Sequence, residues 1–333
     1  MHKAAFCVMA QGVCGLSIAS LFVDLDLQGI NKSSNPAVTL DTGKEVYSLA
    51  WHPEGKRIAF LNEGGQIRIS QNHDLARPAI DLFRGELTST RTIALSSDGR
   101  AVAVGSNECE VLVWETSSNR LRLSLIGHEG TVLAVAFSPN GKLLASAGLD
   151  DLIKIWDARQ GRELITFRGH ELPINDIAFS ANGNILVSAS HDKTVRIWLI
   201  EERRQFAKLT GHDGSVLAVS ISADSKTVLS GSKDRTIKVW DISTGRVLRT
   251  IEGHRSPPNC IACSPNGKLA AAGSEDGVVR LWEIQSGKQV AALKHDGRVN
   301  SVAFSKDGVF LASGSTSGTI KIWEMQKVVN SRR

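Results

Sequence analysis

Proline is scarce in this chain of 333 residues, at 8 against 30 glycines, and tyrosine occurs once, at Tyr47. So many glycines with so few prolines imply frequent tight turns between short strands. Cysteine is also sparse, and the spacing of Cys7, Cys14, Cys109, Cys260 and Cys263 matches no disulfide framework or zinc finger. Cys260 and Cys263 form a C-x-x-C, but residues three apart on a strand face opposite ways, so buried thiols are expected there instead of a shared metal. Neither sign of charge dominates. The net charge is +5, and Lys and Arg are interspersed with Asp and Glu, leaving no basic stripe for nucleic acid. The chain also lacks a single catalytic constellation, a phosphate-cradling glycine loop and clustered metal ligands. No catalytic residue, metal or cofactor is therefore expected.

One long apolar run is present. Residues 4–23 follow Lys3, are interrupted mainly by Gln11 and a few serines, and lead into Asp24 and Asp26. This composition predicts a signal peptide or membrane anchor over 1–23, hence an exported or membrane-tethered protein. The alternatives are a buried extra strand or helix packed on the main domain, or a misplaced start with Met9 in its place; the alternative location, for a cytoplasmic subunit of a larger assembly, turns on the leader's fate. Residues 24–35 read as a polar linker. The sequon at Asn31-Lys32-Ser33 is of a kind common by chance.

The rest of the chain keeps time. Trp114, Trp156, Trp198, Trp240, Trp282 and Trp323 stand 42, 42, 42, 42 and 41 residues apart. Gly-His recurs in the same phase at His128, His170, His212 and His254, and His295 follows after 41 residues. Two markers in one phase identify a repeated unit. Each unit carries alternating apolar runs separated by pairs that tolerate positive φ, from Glu54-Gly55 and Asp98-Gly99 through Asp224-Ser225 to Asp307-Gly308. With the run that follows each tryptophan, a unit supplies four antiparallel strands, which describes a propeller blade.

Gly-His and Trp-Asp at a near-constant interval resemble the WD-repeat β-propeller family over residues 36–326. Trp-Asp stands at Trp156-Asp157 and Trp240-Asp241, with Glu115, Glu283, Glu324 and Leu199 in the Asp place elsewhere. Ser70 takes the tryptophan place of the first unit. Counting that unit, the resemblance implies an all-β fold, a seven-bladed propeller of four-stranded antiparallel blades. In this family the sequence repeat is offset from the blade. Residues 36–41 are accordingly expected to complete the last blade and close the ring, which removes an open edge. Residues 327–333 read as a basic tail.

His, Ser and Asp also recur at fixed distances from Trp: His128, Ser146, Asp150, Trp156; His170, Ser188, Asp192, Trp198; His212, Ser230, Asp234, Trp240. These are the residue types of a hydrolase triad, yet an enzyme needs one such site in a cleft, not three around a ring. The resemblance implies a structural network inside each blade, in which Asp holds His, His meets Ser and Ser meets the indole. Ala272 interrupts the set in blade six, and Ser317 replaces the Asp in blade seven, so blades three to five are expected to be the stiffest.

Function is then left to the rim. The resemblance places partner contacts at the third and fifth residues after the Gly-His histidine, and at the residue before the turn aspartate. The first two sets are Glu45, Tyr47, Ser89, Arg91, Thr131, Leu133, Pro173, Asn175, Ser215, Leu217, Pro257, Asn259, Arg298 and Asn300. The third is Glu63, Asn107, Leu149, His191, Lys233, Glu275 and Thr316. Tyr47 and Arg91 are the preferred anchors, because tyrosine and arginine predominate at binding hot spots. The reading is a non-enzymatic platform for other proteins, with no small-molecule substrate. The alternative, an enzyme or ligand binder using the central channel, needs inward charged residues, whereas the inner strands read as Ala, Val, Ser and Ile.

Overall fold

The computed structural model describes residues 35–55, 57–63, 67–69, 80–81 and 92–330. The expected leader, the sequon, Ser70, Ser89 and Arg91 lie outside the described residues. Among the described residues the strands form seven antiparallel sheets of four, and six of these run through consecutive strands in simple meander order. We number the blades by their inner strands: Val46–Trp51, Thr92–Leu95, Val132–Phe137, Ile174–Phe179, Val216–Ile221, Pro258–Cys263 and Val299–Phe304. In blade one the described outer strands are Ile67–Ile69 and Ile80–Asp81.

The seventh sheet combines the two ends of the chain. Val38–Asp41 pairs with Thr319–Glu324, with Val38 opposite Ile322 and Asp41 opposite Thr319, and the Ala37 N–H extends the ladder to the Ile322 carbonyl at 2.7 Å. Blade one also packs on blade seven. Trp51 stacks on Phe310 and donates its indole N–H to the Ala303 carbonyl at 2.9 Å.

The turn chemistry explains the regularity. Each first hairpin needs a residue in the left-handed region, supplied by Gly55, Gly99, Gly141, Gly183, Gly267 and Gly308 at φ of 69° to 77°, and in blade five by Ser225 at 58°. Second strands such as Leu143–Gly148 are buried along nearly their whole length, because both of their faces meet neighbouring sheets. A continuous small and apolar run therefore replaces alternation. Each repeat tryptophan packs against the blade before it: Trp198 joins Ile153 and Phe167 of blade three, and Trp323 joins Val279 and Leu281 of blade six. Burying an indole is worth about 4–6 kcal/mol by its area, so these side chains bind successive sheets as well as filling them.

The C-terminal end differs from expectation. Residues Met325–Asn330 form a short helix, with Met325 and Val328 buried beside Leu293 and Trp323. The residues read as the start of a basic tail therefore pack on the domain, because Val328 at helical spacing from Met325 offers an apolar face.

Candidate functional site

Two constellations carry polar chemistry, one inside the blades and one at the ring's centre. In blade three the Trp156 indole N–H donates to Ser146 Oγ at 2.8 Å, Ser146 Oγ lies 2.7 Å from His128 Nε2, and His128 Nδ1 lies 2.7 Å from Asp150 Oδ2. Since the indole occupies a serine lone pair, the hydroxyl proton points to Nε2, and the imidazole proton sits on Nδ1 facing the carboxylate. Blade four repeats these contacts at 2.8, 2.7 and 2.7 Å, and blade five at 2.7, 2.8 and 2.6 Å. All twelve network residues predicted for blades three to five are brought together this way.

In blades four and five burial favours the neutral imidazole. Burial lowers His170 and His212 more than their aspartates raise them. Burial also works against the partner carboxylates, but hydrogen bonds from His170 and Thr194 hold Asp192 far below the usual range, and those from Thr236 and His212 bring Asp234 down to about 2. No reactive nucleophile results, because each serine is enclosed between an indole and an imidazole with no exposed face.

Blades six and seven depart from this. With Ala272 in the serine place, the Trp282 indole donates directly to His254 Nε2 at 3.3 Å. Arg280 takes Asp276 through contacts of 2.7 and 3.1 Å, leaving His254 Nδ1 buried without a partner. In blade four the equivalent Arg196 gives its hydrogen bond to Gln205 at 2.7 Å and stands 3.7 Å from Asp192, whose shorter contact, at 2.7 Å, is with its histidine. In blade seven His295 keeps Ser313 at 2.6 Å, and Ser317 reaches it only through Thr319, at 2.8 and 3.4 Å.

The second constellation is a cavity of about 880 Å³ where the inner strands meet. Its lining gathers Glu45, Tyr47, Thr131, Leu133, Asn175, Leu217, Asn259, Arg298 and Asn300 from the first two rim sets, with Asn107, Leu149 and His191 from the third. Lys233 is exposed and outside this lining, although its charge, after burial, helps lower His191. Several of these side chains fasten one blade to the next. Asn175 donates to the Val216 carbonyl at 2.7 Å and Asn300 to that of Val46 at 2.9 Å, while Arg298 lies 3.9 Å from Glu45. Leu149 stands half exposed at the edge.

The inner strands are less uniform than their sequence suggested. Asp176 is a carboxylate on the wall of this cavity, in a column otherwise holding Ser48, Ala134, Ala218, Cys260 and Ser301. The expectation that no charged residue faces the centre is thereby corrected. A ladder irregularity between Ile174 and Asp176 turns that residue inward, and the one signal in the sequence was an acidic residue in a column of small ones. Of the C-x-x-C pair, Cys260 contacts the carbonyls of Gly273 and Val299 and Cys263 that of Ser264; burial pushes the thiols up to about 12 and about 11.

Comparison with known proteins agrees with this architecture. Residues 119–157, 161–198, 203–241, 245–283 and 287–324 match the WD40 family, described as WD domain, G-beta repeat. Over 79 residues the chain is 30% identical to the WD repeat-containing protein SL1-17 of Schistosoma mansoni. That stretch is 24% of this chain and spans only 25% of the relative's length.

Proposed function

The chain belongs to the WD40 family, and from that premise we propose that it is a non-enzymatic platform that binds other proteins at the mouth of its central cavity. The observation that carries this reading is convergence: residues from all seven sheets, far apart in sequence, share one open concavity. Its wall alternates apolar groups, such as Tyr47, Leu133 and Leu149, with amide side chains, the mixture that packs a protein segment and fixes its orientation. The repeated His-Ser-Asp sets serve the framework and not chemistry.

The test is capture from extracts of the source cells, followed by mass spectrometry. Leu149→Asp, at the cavity edge, should lose the co-purifying proteins that the unaltered chain retains. Leu248→Asp, on an outer strand where Leu248 is 58% exposed, should keep them. If the two variants behave alike, the platform does not lie at the cavity.

We further read the seven sheets as seven blades of one ring, closed by residues 36–41. The pairing of Val38–Asp41 with the last sheet and the Trp51 contact with blade seven support that reading. Deleting residues 36–41 should lower the melting temperature by more than 10 °C, since a four-residue ladder and the edge it covers are lost together. Unchanged melting would exclude the closure.

A further inference from the structure

Within the cavity one charge has no opposite. Asp176 Oδ1 accepts the Ile177 N–H and Oδ2 the Val219 N–H of blade five, both at 2.9 Å. Ser301 and Ser48 make the same latch to the next blade, accepting the N–H groups of Leu49 at 3.2 Å and Ile93 at 3.3 Å. The latch itself therefore needs no charge, and the carboxylate at this one joint requires another explanation.

Among the described lining residues the one lysine or arginine is Arg298, and it faces the other acid. Glu45, the other acid of the lining, lies 3.9 Å from Arg298 and accepts the Asn300 amide at 3.1 Å. His191 is kept uncharged near neutral pH by burial and by the charge of Lys233. Asp176 meets backbone N–H groups only, and burial pushes its carboxyl up to about 7. A desolvated acid without a counter-charge is costly, and a cation delivered from outside relieves that cost.

An independent observation lies two blades away on the same wall. Asn175 and Asn300 give their amides to the neighbouring blade, but the equivalent Asn259 Nδ2 is buried with no acceptor. Asn259, its chain neighbour Cys260 and Asp176 all line the same cavity. An orphaned donor calls for an acceptor. A peptide that brings a basic side chain also brings backbone carbonyls.

We propose that Asp176 and Asn259 form a subsite for a lysine or arginine side chain of the bound partner, the cation meeting the carboxylate and a peptide carbonyl accepting the Asn259 N–H. This rests on the platform reading and gives it a chemical preference. It also accounts for a carboxylate where serine would close the joint equally well.

The test uses N-acetyl-arginine-N-methylamide and its lysine analogue as probes, with the citrulline analogue as the neutral isostere. Each is titrated into the full chain by ligand-observed NMR. The cationic probes should bind on the order of tenfold more tightly than citrulline, as a charge-assisted hydrogen bond implies. The preference should grow from pH 6 to pH 8 as Asp176 ionises, while over that range Cys260 stays a thiol. Asp176→Ser keeps the latch seen at Ser48 and Ser301, so melting should hold while the preference falls to about one. Asn259→Ala should weaken all three probes alike, because they share the carbonyl. Equal binding of arginine and citrulline, no binding by any probe, or a preference that survives Asp176→Ser overturns the subsite. None of these outcomes touches the platform reading, which is decided by the Leu149→Asp capture.

Discussion

Blades four and six share one backbone plan but solve the same polar problem differently. In blade four, Ser188 stands between Trp198 and His170, and Asp192 closes the far side at 2.7 Å. In blade six a single missing hydroxyl, at Ala272, pulls the indole onto His254, and Arg280 captures the aspartate. Buried polar groups are satisfied as a set, and removing one member frees the others for different partners. Each network closes its hydrogen bonds within its own blade, which makes the ring a series of units of unequal strength.

The largest expected consequence concerns acid. His254 and His295, which lack an aspartate of their own, are lowered to about 4, in both cases chiefly by burial, with the charges of Arg280 and Lys321 respectively adding to it. Because the folded values lie below the ordinary 6.5, these groups favour the folded state fully above pH 6.5, and that contribution is lost as pH falls toward 4. The loss is on the order of 3 kcal/mol for each. Hydrogen exchange at pH 7 and pH 4.5 should show blades six and seven losing protection before blades three to five. Uniform loss around the ring contradicts the comparison.

A smaller effect follows from moving the defect. Ser188→Ala gives blade four the composition of blade six and should cost about 1–3 kcal/mol in denaturant unfolding, the range for leaving a buried partner unpaired. Blade six itself indicates that part of the loss is recovered when the indole closes on the imidazole. A cost below about 0.5 kcal/mol, the scatter of surface substitutions, argues that the network contributes little.

Much of this was legible in the sequence, for reasons that are local. The tryptophan interval, the left-handed hairpin residues and the His-Ser-Asp spacing each depend on contacts within one repeat, and a repeat rewrites them at the same period. The rim positions were legible too, since Asn175, Asn259 and Asn300 share a register fixed by the histidine. What escaped was competition between side chains and displacement by irregularities. Nothing in the spacing indicates that Arg280 wins Asp276 while Arg196 is held off by Gln205. Nor does the alternation of Ile174–Phe179 reveal that the irregularity before Asp176 turns it inward. The C-terminal helix was hidden by its polar residues Gln326, Lys327 and Asn330, although Met325 and Val328 carried the pattern.

The finest test repairs the defect. Ala272→Ser should let a hydroxyl accept the Trp282 indole and donate to His254 Nε2, as Ser188 does in blade four, for a gain of about 1 kcal/mol. The gain stops there because Arg280 still holds Asp276, so His254 Nδ1 remains without an acceptor. Adding Arg280→Lys, which places in blade six the residue of blades three and five at Lys154 and Lys238, should release Asp276 to the histidine. The double variant should then exceed the sum of the two single changes in denaturant unfolding. Strict additivity means that serine and aspartate act separately, and the blade is then a list of contacts instead of one network.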